Sequence, residues 1–454
     1  MRQRAVEQDM YIRRTNFDAV EENLTPEQVK TEASRCLNCK NPRCVQGCPV
    51  NIQIPDFIKA LKEDNLEKAG EIIRETSMLP SVCGRVCPQE RQCEGNCVLG
   101  IKGEAIAIGA LERYVGDNTS AKTPEIIPTG KKVAIIGSGC AGITAASDLR
   151  KAGHDVTVFE ALHKFGGVLR YGIPPFRLPR KVLDREIDNL KAMGVKFEKN
   201  VIVGKSITLN QLKEDGFDAI FICSGAGLPK MMNIPGENLN GVFSANEFLT
   251  RVNLMQANED STPTPLKVGK SVAVIGGGNV AMDAARTAVR VGFETVYIVY
   301  RRTEAELPAR LEEIRHAKEE GVKFIFLHAP IEILENKGYV DGMKFEIMEL
   351  GEPDESGRRS PMGTGRFKNI DVDTVIVALG TGPNPIIQKS ANDDGIEFET
   401  DRRGYFVVNE ETRETNIPAI FAGGDVAPVG ASNAINAMGA GKKAAKAIND
   451  FLSK

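Results

Sequence analysis

The sequence predicts an α/β protein in which a cysteine-rich helical region precedes two Rossmann-like β–α–β units. Each unit shows a short apolar run, a glycine-rich turn, a helical pattern and a second apolar run, beginning at Lys131 and at Ser271. Eight of the ten cysteines lie before the first unit, between Cys36 and Cys97. A chain of 454 residues has room for two or three domains.

The composition and net charge of the chain indicate which kinds of binding partner are not expected. The chain is 42% apolar and 26% charged, which is typical of a globular protein, and its net charge is −3. That balance gives no support for binding to nucleic acid or to an anionic membrane. No apolar run is long enough to span a bilayer, and the N-terminus lacks the apolar core of a secretory signal. We therefore expect a cytoplasmic protein that binds neither nucleic acid nor membrane.

The cysteines form two runs separated by a helical pattern. The runs consist of Cys36, Cys39, Cys44 and Cys48, and of Cys83, Cys87, Cys93 and Cys97. The first spacing, C-x2-C-x4-C-x3-C-P, is close to that of bacterial ferredoxins, whose fourth cysteine serves a different cluster from the first three.

Two other interpretations of these cysteines stay open. A disulfide framework needs an oxidising compartment, and nothing in the sequence exports the chain. Tetrahedral zinc binds paired C-x2-C elements, but only one such element is present, and both Cys48 and Cys87 precede proline. The spacing therefore favours iron–sulfur ligation over zinc.

The first β–α–β unit carries the fingerprint of a dinucleotide site. An apolar run at 133–136 is followed by Gly137, Gly139 and Gly142 at G-x-G-x-x-G spacing. Such glycines permit the tight turn, the close approach of a pyrophosphate and the packing of helix on strand. Glu160 ends the second strand, where a carboxylate can accept hydrogen bonds from ribose hydroxyls. A purely structural turn is the alternative, but the complete unit favours a nucleotide site.

The second unit repeats the fingerprint with one change of charge. Gly276, Gly278 and Ala281 take the three positions, and Arg301 and Arg302 stand where the first unit has its carboxylate. Guanidinium groups bind a 2′-phosphate that a carboxylate would repel. We therefore predict a preference for NADP(H) over NAD(H) of about tenfold or more for each charge-assisted hydrogen bond. A solvated arginine pair at a strand end is the alternative.

Local patterns predict further elements along the chain. They are a helix start at Thr25-Pro26, a helical pattern from Ile54 to Thr76, a polar linker at 117–130, buried strands within 217–226 and 372–385, and a small-residue helix at 431–450 after a turn that contains Asp425.

Together, these motifs resemble the family of the glutamate synthase small (β) subunit. That family also contains the N-terminal half of dihydropyrimidine dehydrogenase and the large subunit of electron-bifurcating NADH-dependent ferredoxin:NADP oxidoreductase. The likeness covers the chain from Cys36 to about Ile448. The motifs that carry it are the two cysteine runs with CGRVCPQE, GALERYV, the first glycine fingerprint, YGIPPFRLP, GGGNVAMD with YRR, and AGGDV.

The resemblance implies two 4Fe–4S clusters with crossed ligation. One cluster would bind Cys36, Cys39, Cys44 and Cys97, and the other Cys48, Cys87, Cys93 and Glu112. Glu112 matches a Gln or Glu ligand of relatives, whereas the sequence alone would assign it to a solvated helix face. Cys83 matches a family cysteine that binds no cluster.

The resemblance also implies two nucleotide sites. FAD would bind at Gly137, Gly139, Gly142, Glu160, Gly167, Leu169 and Asp425, and NADP(H) at Gly276, Gly278, Asn279, Val280, Ala281, Arg301 and Arg302. In the family the NADPH domain is inserted in the FAD domain. The expected domains are therefore a helical iron–sulfur domain at 1–128, an FAD domain in two parts at 129–245 and 386–454, and an NADPH domain at 246–385.

The implied activity is that of an NADP(H)-dependent flavin iron–sulfur oxidoreductase. The cofactors carry its chemistry, so no histidine or serine triad is needed, and only four histidines are present. No segment resembles a glutamine amidase or a substrate barrel. We therefore expect one subunit of a complex that passes electrons to a partner protein.

Three functions remain as hypotheses. The first is an electron-bifurcating ferredoxin:NADP oxidoreductase, with ferredoxin among its partners. The second is the small subunit of NADPH-dependent glutamate synthase, with an amidotransferase subunit as partner. The third is an electron-transfer scaffold whose nucleotide site is vestigial, against which the intact glycines and the arginine pair argue.

Overall fold

The computed structural model describes residues 1–122, 124–353, 359–428 and 432–454. Up to Asn118 these residues form a helical region. Its helices are α1 (Met10–Arg13), α2 (Pro26–Ser34), α3 (Arg43–Gln46), α4 (Ile54–Lys62), α5 (Leu66–Arg74), α6 (Pro80–Val86) and α7 (Ile108–Asn118), with short 3-10 turns at Gln89–Arg91 and Val98–Ile101. Within the described ranges, no helix combines the length and apolarity needed to cross a membrane.

Local chemistry sets the helix limits in this region. The predicted start at Thr25 is confirmed, since its side chain forms a capping box and α2 begins at Pro26. The helical pattern predicted over 54–76 forms two helices, α4 and α5. Asp64 between them adopts a left-handed φ of 56°, and the Asn65 side chain caps α5.

Two parallel sheets follow the helical region. The elements up to Ile222 are β1 (Lys132–Ile136), α8 (Cys140–Lys151), β2 (Asp155–Glu160), α9 (Val168–Tyr171), α10 (Arg180–Ala192), β3 (Lys196–Lys199), α11 (Leu209–Glu214) and β4 (Ala219–Ile222). The next are β5 (Leu228–Pro229), β6 (Val242–Ser244), α12 (Ala245–Asn253), β7 (Ser271–Ile275), α13 (Asn279–Val291), β8 (Thr295–Tyr300), α14 (Leu311–Glu319), β9 (Lys323–Phe326), β10 (His328–Asn336), β11 (Tyr339–Pro353), β12 (Arg359–Ile370), β13 (Thr374–Val377) and β14 (Thr381–Gly382). The last are α15 (Ile386–Asp393), β15 (Ile420–Ala422) and α16 (Ala434–Leu452).

The sheet order shows how the two units are connected. The first sheet has the order β15-β4-β1-β2-β3 and the second β6-β13-β7-β8-β9, with all neighbouring strands parallel. Because β15 joins the first sheet after the second is complete, the second unit is inserted in the first. Strands β10, β11 and β12 form a separate antiparallel sheet, and β5 pairs with β14. The α/β fold class expected from the sequence is confirmed, whereas the domain boundaries stay predictions.

The predicted strands and the last helix are shifted only at their ends. The strands within 217–226 and 372–385 are β4 and β13. The helix predicted over 431–450 is α16, which runs from Ala434 to Leu452. Its predicted first residue, Ala431, lies outside the described residues.

The helical region packs directly on the first sheet unit. One apolar core joins Leu79, just before α6, and Val82 of α6 with Ile135 of β1 and Met438 of α16. This shared core places the second cysteine run against the C-terminal helix, so the cysteines lie close to the first glycine-rich turn.

Candidate cofactor sites

Cys97, from the second cysteine run, lies beside cysteines of the first run. Burial raises the pKa of the Cys36 thiol, and negative charge on Cys39 and Cys97 raises it further. Burial likewise raises the pKa of Cys44 to about 11, with Cys97 and Cys36 adding to the effect. All four thiols are only partly buried. The structure thus brings together the set Cys36, Cys39, Cys44 and Cys97, which we call the outer cysteine pocket.

A second set of ligand-type side chains surrounds a small cavity. Cys48, Cys87, Cys93 and Glu112 all line it, and all four are buried. Burial raises the pKa of Cys48 to about 11, and charge on Glu112 and Cys87 adds to this. We call this set the inner cysteine pocket.

Glu112 is the most informative member of the inner pocket. It is 5% exposed, and its Oε1 has no hydrogen-bond partner among the described residues. Burial raises the pKa of its carboxyl group to about 8. A buried carboxyl group without a partner is costly unless a cation satisfies it. The expectation of a solvated helix face from the sequence alone is wrong, because α7 turns Glu112 inward.

The donor groups suit iron–sulfur clusters. Three thiols and an unpartnered carboxyl oxygen form the inner pocket, and four thiols form the outer one. Cysteine thiolates are the usual ligands of 4Fe–4S clusters, so both pockets fit such a cluster.

Cys83 lines the inner cavity too. Its Sγ lies 3.4 Å from Met438 Sδ on α16 and 4.0 Å from Ser77 Oγ. Contact with Cys87 and burial both raise the pKa of its thiol. Cys83 therefore joins α6 to α16 at the wall of the pocket, and its role as a non-ligand stays a prediction.

Of the three fingerprint glycines in the first turn, only Gly139 has open space where a side chain would be. A Cβ on Gly137, whose φ is 114°, would lie 2.5 Å from Cys223 O, and one on Gly142 would lie 2.0 Å from Gly137 O. A Cβ on Gly139 would meet nothing within 4 Å. Helix α8 begins at the next residue, Cys140, with its free N–H groups facing this space. The turn is therefore an open cradle that fits a pyrophosphate.

Glu160 ends β2 beside this turn and is held by neighbouring groups. Its Oε2 accepts hydrogen bonds from Ser138 N (3.1 Å) and Ser138 Oγ (2.5 Å), and its Oε1 accepts one from Leu162 N (2.9 Å). The Ser138 hydroxyl also accepts a hydrogen bond from Gly166 N at 2.8 Å. Ser138 was missed by the sequence reasoning, although it occupies the variable position between the first two fingerprint glycines.

The remaining flavin-site candidates converge on the same turn. A Cβ on Gly167 would lie 2.9 Å from Gly139 Cα, so that loop passes directly over the cradle. Leu169 is fully buried behind it. Asp425 stands near Tyr171. Burial raises the pKa of the Tyr171 phenol to about 12, and the negative charge of the nearby Asp425 contributes to this rise. Tyr171 carries no motif signal that would have identified it.

The second glycine-rich turn has a similar open position. A Cβ on Gly278 would meet nothing within 4 Å, whereas one on Gly276 would lie 2.4 Å from Ala378 O. Ala281 is fully buried and Val280 is 43% exposed. The Asn279 side chain is already engaged, since its Oδ1 accepts a hydrogen bond from Arg310 N at 2.9 Å.

The two arginines after β8 differ in their surroundings. Arg301 is exposed, whereas Arg302 is 7% exposed. The Arg302 Nε donates a hydrogen bond to Arg359 O at 2.8 Å, which fixes its side chain against β12. The pair thus offers one exposed and one anchored guanidinium group at the end of β8, the strand that follows α13.

Two protein families match the chain. Residues 13–124 match the family of dihydropyrimidine dehydrogenase domain II, 4Fe-4S cluster. Residues 131–441 match the pyridine nucleotide-disulphide oxidoreductase family.

Characterised relatives are similar over almost the whole chain. The small chain of NADPH glutamate synthase from Escherichia coli is 37% identical, and the match covers 97% of this chain and 95% of that one. The NADP(+)-dependent formate dehydrogenase subunit beta from Moorella thermoacetica is 38% identical over 90% of this chain, which spans 60% of that longer subunit.

Solved structures share the fold of the two sheet units. Mycobacterium tuberculosis FprA in complex with NADPH has a TM-score of 0.58 at 22% identity, and the match covers 72% of this chain and 85% of that one. Thioredoxin reductase from T. acidophilum has a TM-score of 0.53 at 21% identity, covering 70% of this chain and 98% of that one.

Proposed function

The chain belongs to the family of the glutamate synthase small chain and is an NADP(H)-dependent flavin iron–sulfur oxidoreductase, and we propose that it passes electrons between NADP(H) and a partner protein through two 4Fe–4S clusters. The observation that carries the proposal is the difference in burial between its two cysteine pockets. The outer pocket is half-exposed, and the inner pocket is buried against the flavin unit.

The proposed ligands follow the grouping of side chains. Cys36, Cys39, Cys44 and Cys97 hold the outer cluster, and Cys48, Cys87, Cys93 and Glu112 hold the inner one. FAD binds at the open turn of Gly139 with Glu160 and Asp425 beside it, and NADP(H) binds at the open turn of Gly278. When bound, FAD supplies the conversion between two-electron and one-electron transfer.

Two side chains support an inner cluster close to the proposed flavin site. Cys140, the first residue of α8, is buried, and burial is the main reason that the pKa of its thiol rises to about 12. Negative charge on Asp425 and on Cys87 adds to this rise, so both groups lie close to Cys140. Ile435, in the first turn of α16, lines the inner pocket. Cys140 and Ile435 are both buried, so apolar and thiol side chains lie between the flavin turn and the inner cysteines.

The outer pocket is the proposed contact point for the partner. Leu37, between two of its cysteines, is 62% exposed, and Ile101, close to Cys97 in sequence, is 69% exposed. Large apolar side chains exposed beside a redox site are suited to a transient protein interface. Relatives are subunits of larger enzymes by name, which supports a partner subunit for this chain.

We propose an electron-bifurcating ferredoxin:NADP oxidoreductase as the complex to which this subunit belongs. The motifs CGRVCPQE, GALERYV and YGIPPFRLP favour it. The small subunit of NADPH-dependent glutamate synthase is the second candidate, favoured by the 37% identity and the 95% coverage of the Escherichia coli protein.

One experiment separates these candidates. The protein is purified with its natural partners and assayed for ferredoxin reduction by NADPH, with and without NAD⁺. Ferredoxin reduction only in the presence of NAD⁺ supports bifurcation. Glutamate formation from glutamine and 2-oxoglutarate without ferredoxin establishes the second candidate. Failure of NADPH to bleach the bound flavin would leave only an electron-transfer scaffold.

A further inference from the structure

A loop of the second unit lies between its glycine-rich turn and the second cysteine run. We call residues 307–310 the bridging loop. On the side of the turn, Ala309 N donates a hydrogen bond to Gly277 O at 3.2 Å. Arg310 N donates one to Asn279 Oδ1 at 2.9 Å. The loop is therefore fixed to both the turn and the first residue of α13.

The other side of the bridging loop is bonded to the cysteine run. Arg310 Nη1 donates to Arg85 O at 2.8 Å, and its Nη2 donates to Gln89 Oε1 at 2.9 Å. Arg91 Nη1 donates in turn to Pro308 O at 3.0 Å. The residues of the cysteine run that accept or donate these bonds lie between Cys83 and Cys93, and one of them, Gln89, lines the inner pocket.

Gln89 connects Arg310 to the pocket itself. Its side chain is 4% exposed and lines the inner cavity. Its Nε2 donates to Cys83 O at 3.2 Å and to Gly84 O at 3.1 Å. It also packs on α7, since a Cβ on Gly109 would lie 2.5 Å from Gln89 Nε2. Gln89 therefore cannot shift without moving the helices that carry Cys83 and Glu112.

We propose that Arg310 is a positioning residue through which NADP(H) at the Gly278 turn changes the environment of the inner cysteine pocket. This inference rests on the proposed function. The Arg310 guanidinium is buried, and its Nη2 is shared between Gln89 Oε1 and Glu312 Oε2 (3.1 Å), which ties the pocket wall to the start of α14. The group and its partners therefore shift together. If NADP⁺ changes the reduction equilibrium of the inner cluster by some factor, linkage requires that reduction of the cluster changes the affinity for NADP⁺ by that same factor.

Amide hydrogen exchange of the cofactor-loaded protein tests the connection without any variant. Adding NADP⁺ should slow exchange at residues 276–281 and also at residues 85–93. Slower exchange at 276–281 alone would overturn the inference and leave the nucleotide site standing. No change at 276–281 would overturn the nucleotide assignment, and this inference with it.

Two variants then test the role of Arg310. In Arg310→Gln, NADP⁺ should still protect 276–281 but no longer 85–93, and it should no longer shift the reduction potential of the inner cluster measured by EPR. Lys318→Gln is the matched control, because Lys318 lies on α14 and its ion pair is with exposed Glu304. A wild-type response of Arg310→Gln in both measurements would contradict the proposal.

Discussion

The Arg177 guanidinium and the Asp283 carboxylate form a buried ion pair that joins the flavin unit to the inserted unit. Arg177 Nη1 lies 2.9 Å from Asp283 Oδ1 and 2.7 Å from Oδ2. Arg177 belongs to the motif YGIPPFRLP, and Asp283 lies in α13, the helix that follows the Gly278 turn. The ring of the preceding residue, Phe176, packs against two arginines of α13. The ring centroid lies 4.6 Å from Arg286 Cζ and 4.0 Å from Arg290 Cζ. The motif is therefore the clamp between the two units.

Replacing Arg177 by Met should destabilise the protein. The change leaves the Asp283 carboxylate buried without its partner, which costs about 3–5 kcal/mol. Urea unfolding of the cofactor-loaded protein measures this cost. Arg402→Met, at an exposed arginine, is the control and should change stability by less than about 0.5 kcal/mol. Equal stability of the two variants would contradict the clamp.

The stability of the protein should depend on the ionisation of Glu320. Burial alone would raise its pKa, but hydrogen bonds from Arg290 and Arg286 outweigh burial and lower it from 4.5 to about 2. Stability from a lowered carboxyl pKa is present above the unfolded value and is lost as the pH falls through the folded one. The free-energy advantage of the wild type over Glu320→Gln should therefore shrink between about pH 5 and pH 2. A constant difference across this range would show that Glu320 is not ionised in the folded protein.

Iron content tests the crossed ligation. Two four-iron clusters predict about eight iron atoms per chain in the wild type and in Cys83→Ser, and about four in Cys97→Ser. Metal analysis of the purified variants measures this directly. Equal iron loss in the two variants, or zinc at one atom per chain, would show the proposed ligand sets to be wrong.

The preference for NADP(H) should depend on Arg301 and Arg302. Changing both to Gln removes charge-assisted hydrogen bonds to the 2′-phosphate, so KM for NADPH should rise about tenfold or more relative to KM for NADH. Steady-state kinetics with both nucleotides measures the ratio. Arg315→Gln, an arginine on α14 that pairs with Glu7, is the control. An unchanged ratio in the double variant would mean that other residues read the phosphate.

The sequence by itself determined the features that depend on local chemistry. Turns, caps and β–α–β units are made by residues close together in the chain, so Gly137, Gly139 and the helix start at Thr25 were readable as patterns. The two sheet units and their order followed from the same patterns. The helical pattern over 54–76 was confirmed, but apolar spacing alone does not show where the chain breaks between α4 and α5, at the left-handed Asp64.

Only the tertiary structure decided which distant residues meet. Glu112 sits on a helix whose sequence is compatible with solvent, and it is buried because α7 packs against the cysteine runs. The hydrogen bond from Arg310 to Gln89 joins residues 221 positions apart, and no local spacing encodes it. Such contacts depend on how the helical region docks on the two sheets, a property of the packed core rather than of any single segment.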